Sequence, residues 1–209
     1  MSIKAVLCGP PRSGKSCLRQ GLKDAISRIS GAPYCYAITA CPDGEGGWFQ
    51  EAMRQDPLLA AKLKASYKRG FTPEFVRLAS EWVTNCALPL TLVDIGGVPD
   101  EKNEIICSRA THAILLAPDP GGFDEWRDFS ARVGLSVVAE IHSHYTGHAD
   151  DVRWDGRTGL LTGSIHRLER GEAVLDRPMV RSLAELLVRM ATNPEPGLGP
   201  ARDEGTPGS

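Results

Sequence analysis

Gly9-Pro10-Pro11-Arg12-Ser13-Gly14-Lys15-Ser16 decides how this chain is read. The stretch matches the pattern G-x-x-x-x-G-K-[ST] at every fixed position. The apolar run Ile3-Lys4-Ala5-Val6-Leu7 precedes it and predicts a strand over about residues 3–7. Behind it, Leu18, Leu22, Ala25, Ile26 and Ile29 recur at helical spacing, which predicts a helix over about 15–29. Strand, tight loop and helix form the context in which this pattern has a mechanism. Gly9 and Gly14 let the backbone curl so that its N–H groups point inward at phosphate oxygens. The start of the helix adds partial positive charge. Lys15 is placed to reach the β- and γ-phosphates, and the Ser16 hydroxyl to hold Mg²⁺. Gly9, Pro10, Pro11, Arg12, Ser13, Gly14, Lys15, Ser16 and Cys17 are therefore the expected nucleotide-binding set, with ATP and Mg²⁺ as the expected cofactors.

A second strong stretch is Leu90-Thr91-Leu92-Val93-Asp94-Ile95-Gly96-Gly97. An apolar strand ends in an aspartate, and two glycines follow. Asp94 suits a strand-end carboxylate that holds Mg²⁺ together with Ser16, commonly through water. The backbone N–H of Gly97 is placed to face the γ-phosphate.

Residues 33–40 read as strand two. The loop Cys41-Pro42-Asp43-Gly44-Glu45-Gly46-Gly47-Trp48 follows it. If strand two runs parallel to strand one, Asp43 and Glu45 emerge on the edge where a ligand binds. Asp43 is then the best-placed acid to orient an acceptor hydroxyl and take its proton. An ordinary β–α turn is the plainer reading of the same loop. Residues 48–86 look helical throughout, and the last piece, about 73–86, starts with Thr72 as N-cap and Pro73 in the first turn. Its expected apolar face is Phe75, Leu78, Ala79, Trp82, Val83 and Cys86. A simple crossover needs one helix, so the remainder is expected to be a helical insertion between strands two and three.

Further on, a short polar helix is expected from Pro99 to about Ala110, strand four over Thr111–Ala117, a helix over about 123–133 and strand five over Leu135–Ile141. Residues 142–158 read as a polar connection and candidate lid, from which Arg157 could reach a transferring phosphoryl group. His142, His144 and His148 in this stretch, with Asp150 and Asp151 near them, could hold a metal, although a solvated loop is the plainer reading. A strand over 159–168 and a helix over about 178–190 complete the pattern. The alternation predicts an α/β fold: a doubly wound, mostly parallel sheet of about five or six strands. Residues 1–192 form the expected nucleotide-binding domain. Residues 193–209, with four prolines and four glycines, form an expected disordered tail.

Composition narrows the function classes. The chain has 209 residues, 42% of them hydrophobic, and a net charge of −2, so there is no overall basic footprint for unspecific nucleic-acid binding. No early apolar run reads as a signal peptide, and none approaches membrane-spanning length. Six scattered cysteines fit a reduced, cytoplasmic chain better than a disulfide framework. Guanine readers usually carry an N-K-x-D stretch after a late strand. Strand four ends instead in Ala117-Pro118-Asp119-Pro120, which favours ATP over GTP.

Pro42-Asp43-Gly44-Glu45-Gly46-Gly47-Trp48, Val93-Asp94-Ile95-Gly96-Gly97-Val98-Pro99, Ala110-Thr111-His112-Ala113-Ile114 and Leu168-Glu169-Arg170-Gly171, read with the glycine-rich loop, carry a narrower likeness. Within the superfamily of P-loop nucleotide hydrolases and kinases, the chain resembles the ATPase-like module attached to some CRISPR-associated ring nucleases, which degrade cyclic oligoadenylate messengers. The resemblance covers about residues 1–190. It implies a nucleotide-handling accessory in that signalling context, with a CRISPR-associated protein as partner. The chain starts at the glycine-rich loop and has no room for a second domain, so ring-nuclease activity is not expected of it. The leading expectation is a Mg²⁺-dependent phosphotransferase acting on a small-molecule or nucleotide-like hydroxyl, with Lys15, Asp43, Asp94 and Arg157 as its catalytic residues. The alternative is a regulatory ATPase or nucleotide-dependent switch acting through a protein partner. A homodimer is compatible with either.

Overall fold

The computed structural model describes residues 2–41 and 71–193. Asp43, Glu45, Trp48, most of the expected helical insertion and residues 194–209 lie outside the described residues. Seven strands form one sheet: β1 (Ile3–Cys8), β2 (Cys35–Ala40), β3 (Leu90–Ile95), β4 (His112–Ala117), β5 (Ser136–His144), β6 (Asp151–Asp155) and β7 (Leu160–His166). Five helices are described: α1 (Lys15–Arg28), α2 (Pro73–Asn85), α3 (Glu101–Cys107), α4 (Gly122–Val133) and α5 (Pro178–Thr192). The strand order is β2-β3-β1-β4-β5-β7-β6, parallel throughout except for β6, which pairs antiparallel with β7.

Both faces of the sheet are covered, and the strand sequences show why. β1, β3 and β4 are buried at nearly every position and apolar at most of them, as befits strands covered on two sides. Ile3, Ala5 and Leu7 of β1, with Leu90 and Leu92 of β3, join one core under Leu18, Leu22 and Ile26 of α1 and Leu183 and Leu187 of α5. Val6 and Cys8, with Val93 and Ile95, turn the other way. They meet Val76, Ala79 and Val83 of α2, Ile106 of α3, and Trp126 and Phe129 of α4. Trp126 and Phe129 pack edge to face at 5.3 Å between ring centroids.

Several expectations change here. The sheet has seven strands where about five or six were expected. The stretch from 142 onward is not a polar connection: β5 continues to His144, and residues 151–155 form β6. Val152 of β6 packs against the core while Trp154 lies half-exposed, with the guanidinium of Arg189 on α5 5.9 Å from its ring. Asp151, Arg153 and Asp155 occupy the alternate positions, so the alternation expected of a half-buried strand is present over only five residues. In α2 the buried stripe is Val76, Ala79 and Val83, whereas Leu78 and Trp82 are exposed. Helical spacing gave the right period there but rotated the stripe by about one residue. Thr72 caps α2 by accepting from Phe75 N, as its position predicts. Among the described residues, no helix is long and apolar enough to cross a membrane.

Two polar contacts hold distant parts of this frame. Lys4 on β1 is almost wholly buried, and its Nζ donates to the Val83 and Thr84 carbonyls at 2.6 and 2.9 Å, capping the C-terminal end of α2 with a cation. Asp150 accepts from the N–H of Met179 in the first turn of α5 at 3.1 Å, so that helix is capped by a carboxylate 29 residues earlier in the chain. Replacing Lys4 by Met keeps the apolar stem but removes both bonds and leaves the helix-end carbonyls without their cation. Lys4→Met should lower unfolding stability by about 1–3 kcal/mol, measured by urea denaturation; an unchanged midpoint would contradict the capping role.

Candidate functional site

The site is built where β1, β2 and β3 end. β1 stops at Cys8, and residues 9–14 turn the chain into α1. Gly9 has φ 152°, and a Cβ there would stand 2.0 Å from the Leu116 carbonyl oxygen of β4, so the loop passes against the sheet where no side chain fits. Gly14 is the N-cap of α1 in the left-handed conformation, with φ 94°. That conformation starts the helix without a side-chain cap, and the first turn carries no acid. The N–H groups of a first helical turn lack intrahelical partners, so this end of α1 presents donors and partial positive charge.

Lys15 and Ser16 open the helix on this polar end. Lys15 is buried, and its Nζ donates to the Gly9 and Pro10 carbonyls at 2.7 and 2.9 Å, closing the loop on itself. The Ser16 hydroxyl donates to Asp94 Oδ2 at 2.9 Å. Alternation along β3 explains the meeting. Leu90, Leu92 and Asp94 share the face that α1 covers, so the strand ends by aiming a carboxylate under the first turn of the helix. Arg19, one turn further along α1, brings its Nη1 to 3.4 Å from the same Oδ2 and donates to Thr39 Oγ1 at 2.7 Å. Thr39 is the register partner of Asp94 on β2. After β3, Gly97 sits against the loop so closely that a Cβ would lie 2.5 Å from Pro11 N.

These groups surround a cavity of about 510 Å³. Pro11, Arg12, Gly14, Lys15, Ser16 and Cys17 line one side, Asp94, Ile95 and Gly97 another, with Thr39 and Cys41 at the end of β2. Leu168 and Arg170, from the segment after β7, complete the lining, and Leu168 packs directly over Gly14. The residues fit a polyphosphate with a divalent cation. Ser13 Oγ is buried with no hydrogen-bond partner among the described residues. Lys15 and Arg12 supply cationic charge, and Ser16 and Asp94 are oxygen ligands of the kind Mg²⁺ takes alongside phosphate and water. Cys8, behind the loop, is fully buried. Burial pushes its thiol well above the usual range, Cys107 adds to that, and Lys15 opposes it only in part.

Of the sequence-predicted residues, the structure brings Pro11, Arg12, Gly14, Lys15, Ser16, Cys17, Asp94 and Gly97 to one cavity, with Gly9, Pro10 and Ser13 forming the loop behind them. It does not bring Arg157 there. β6 runs antiparallel to β7, so the turn between them lies at the sheet edge where the parallel strands begin, opposite the loop at 9–14. Arg157 N donates to Asp155 Oδ1 within that turn. His142 and His144 do share a face of β5 and stack at 5.5 Å, but His142 Nε2 lies 2.7 Å from the Pro118 carbonyl oxygen. Among the described residues, no group of three or more His, Cys, Asp or Glu could hold a metal ion.

No motif in the sequence marks Arg19 or Thr39 as site residues, and Leu168 and Arg170 stand out there only in the stretch that carries the resemblance, with no role attached. For Arg19 a signal exists: it follows Lys15 by four residues and Ser16 by three, the spacing of neighbours on one helix face. The others reach the site only through strand pairing and the path of the chain after β7.

No family model matches the chain, and no curated protein matches it either.

The contact of Gly97 with Pro11 ties the loop after β3 to the loop after β1. Gly97→Ala forces the two loops apart, because the nearest atoms are Pro11 N, its ring Cδ and Cα, none of them the end of a flexible side chain. The variant should lose about 1–3 kcal/mol of stability and show faster amide exchange across residues 9–16; wild-type exchange rates there would refute the contact.

Proposed function

We propose that the chain binds ATP with Mg²⁺ and transfers its terminal phosphoryl group to a small-molecule or nucleotide-like hydroxyl. The observation that carries this reading is the convergence of Lys15, Ser16 and Asp94 at the uncapped start of α1, beside a cavity of about 510 Å³. In this reading the phosphates lie along residues 9–16, where backbone donors, the Lys15 ammonium and the start of the helix favour negative charge. Mg²⁺, when bound, neutralises the charge that builds on the phosphoryl oxygens. Ser16 and Asp94 would hold it. Gly97 offers a backbone N–H next to Pro11, on the side where the terminal phosphate would sit. Leu168, packed over Gly14, offers an apolar surface in the cavity against which a base would lie.

With Arg157 at the opposite sheet edge, the arginines that remain candidates for balancing charge are Arg12 and Arg170, both lining the cavity. Asp43 is the proposed residue on the acceptor side, on the strength of its place in the sequence just after β2. The likeness to the module attached to CRISPR-associated ring nucleases points to a nucleotide-like acceptor and a CRISPR-associated partner. The second reading, a regulatory ATPase, draws on the Gly97–Pro11 contact. A shift of either loop with the state of the nucleotide would be passed to the other and onward to a protein partner.

Lys15→Ala should weaken ATP binding by about 100-fold, the loss expected when a charge-assisted contact inside a phosphate cradle is removed. Equilibrium binding of a fluorescent ATP analogue measures it, and wild-type affinity in a folded Lys15→Ala would refute the reading. ATP should outcompete GTP in the same assay. A screen of nucleosides, nucleotides and oligonucleotide ends with labelled ATP should yield a labelled acceptor, and Asp43→Asn should slow that transfer by about 10²–10⁴-fold. No labelled acceptor, together with ATP hydrolysis unchanged in Asp43→Asn, would favour the regulatory ATPase.

A further inference from the structure

We infer that Arg19 is a positioning residue that sets how strongly Asp94 engages a divalent cation, and that Thr39 at the end of β2 tunes it. The inference rests on the proposed role of Asp94 at the Mg²⁺ side of the site. Three observations carry it. Arg19 is 4% exposed, so its charge is held inside the protein and must be balanced there. The balancing group is Asp94, itself 4% exposed, at 3.4 Å. The same nitrogen, Nη1, donates to Thr39 Oγ1 at the shorter distance of 2.7 Å. Thr39 and Asp94 are opposite one another in the β2–β3 register, so Arg19 bridges two strand ends from above.

Oδ2 of Asp94 therefore accepts from Ser16 and faces a buried cation at once. A divalent cation meeting this carboxylate meets one whose charge is already partly offset, and a second positive charge lies close behind it. Arg19 thus holds the carboxylate in place while weakening its pull on metal. The Thr39 hydroxyl competes with Asp94 for Nη1. As long as that bond is made, the guanidinium stays somewhat back from the carboxylate. The arrangement makes metal engagement sensitive to the position of the end of β2.

A purely structural ion pair would lose stability on mutation with no ordered effect on metal. The positioning role predicts two effects of opposite sign. The experiment titrates Mg²⁺ into each variant with a fluorescent ATP analogue present and reads the Mg²⁺ concentration that half-saturates analogue binding; a parallel titration in EDTA gives the metal-independent affinity. Arg19→Gln removes the competing charge and should lower the half-saturating Mg²⁺ by about tenfold. Thr39→Val frees Nη1 to close on Asp94 and should raise it by about threefold. Arg19→Lys keeps a cation and should stay within about twofold of wild type. Metal-independent affinity should change by less than about twofold in Arg19→Gln and Arg19→Lys. Should Arg19→Gln fail to fold, the Thr39→Val and Arg19→Lys values decide. A folded Arg19→Gln with an unchanged Mg²⁺ requirement overturns the inference, as does a Thr39→Val shift toward lower Mg²⁺. A wild-type chain that binds no ATP analogue at any Mg²⁺ concentration overturns the functional reading, and this inference with it.

Discussion

A carboxylate buried at the end of a central strand constrains everything around it. Asp94 lies on the face of β3 that α1 covers, where an unpaired charge would cost several kcal/mol. Ser16 and Arg19 answer that requirement from the first turns of the helix. For them to do so, α1 must begin immediately above the end of β3. The chain must therefore leave β1 and turn into α1 within six residues, close against β4. Gly9 and Gly14 meet that demand, one by admitting the Leu116 carbonyl and the other by starting the helix in a left-handed conformation.

The sheet order supplies the rest of the geometry. β1 is flanked by β3 and β4, and β3 by β2, so the ends of three parallel strands converge beside one helix start. Ligands in open α/β sheets bind beyond such strand ends. The segment after β7 comes from across the sheet to lay Leu168 over Gly14, which makes the site a product of both halves of the chain. β7 and α5, distant in sequence from the glycine-rich loop, are in this sense part of its walls. Asp150 links them, since it accepts from the first turn of α5 and sits 2.6 Å from His166 Nδ1 at the end of β7.

The legible parts of the sequence were those whose geometry is fixed by neighbours in the chain. The loop at 9–16 is a local construction, and its flanking strand and helix announce it. β3 and β4 were legible because continuous apolar runs have few other uses in a chain of this size. Thr72 and Pro73 marked the start of α2 through local capping chemistry. What required tertiary knowledge was not legible. Leu78 and Trp82 look like core residues by type, yet which face of α2 is buried is decided by the sheet beneath it. β6 is too short, and alternates too weakly, to stand out beside a histidine-rich stretch. The segment of Arg157 reads locally as a loop and so as a lid; the reversal of β6 puts it at the far edge. Arg19 and Thr39 meet only because β2 and β3 pair in one register, which the local sequence of neither strand specifies.

The antiparallel β6 leaves one more mark on the molecule. Every other described strand of the sheet runs toward the edge that bears the cavity, so the β6–β7 turn hangs from the quiet side. Its residues, Gly156 to Thr158, are exposed, and the turn is braced from within, with Thr158 Oγ1 donating to Asp155 Oδ2 at 2.7 Å. A turn that is self-supporting, accessible and remote from the strand ends is a natural handle. An affinity tag or a fluorophore carried there would immobilise or report on the protein while leaving the cavity open to solution.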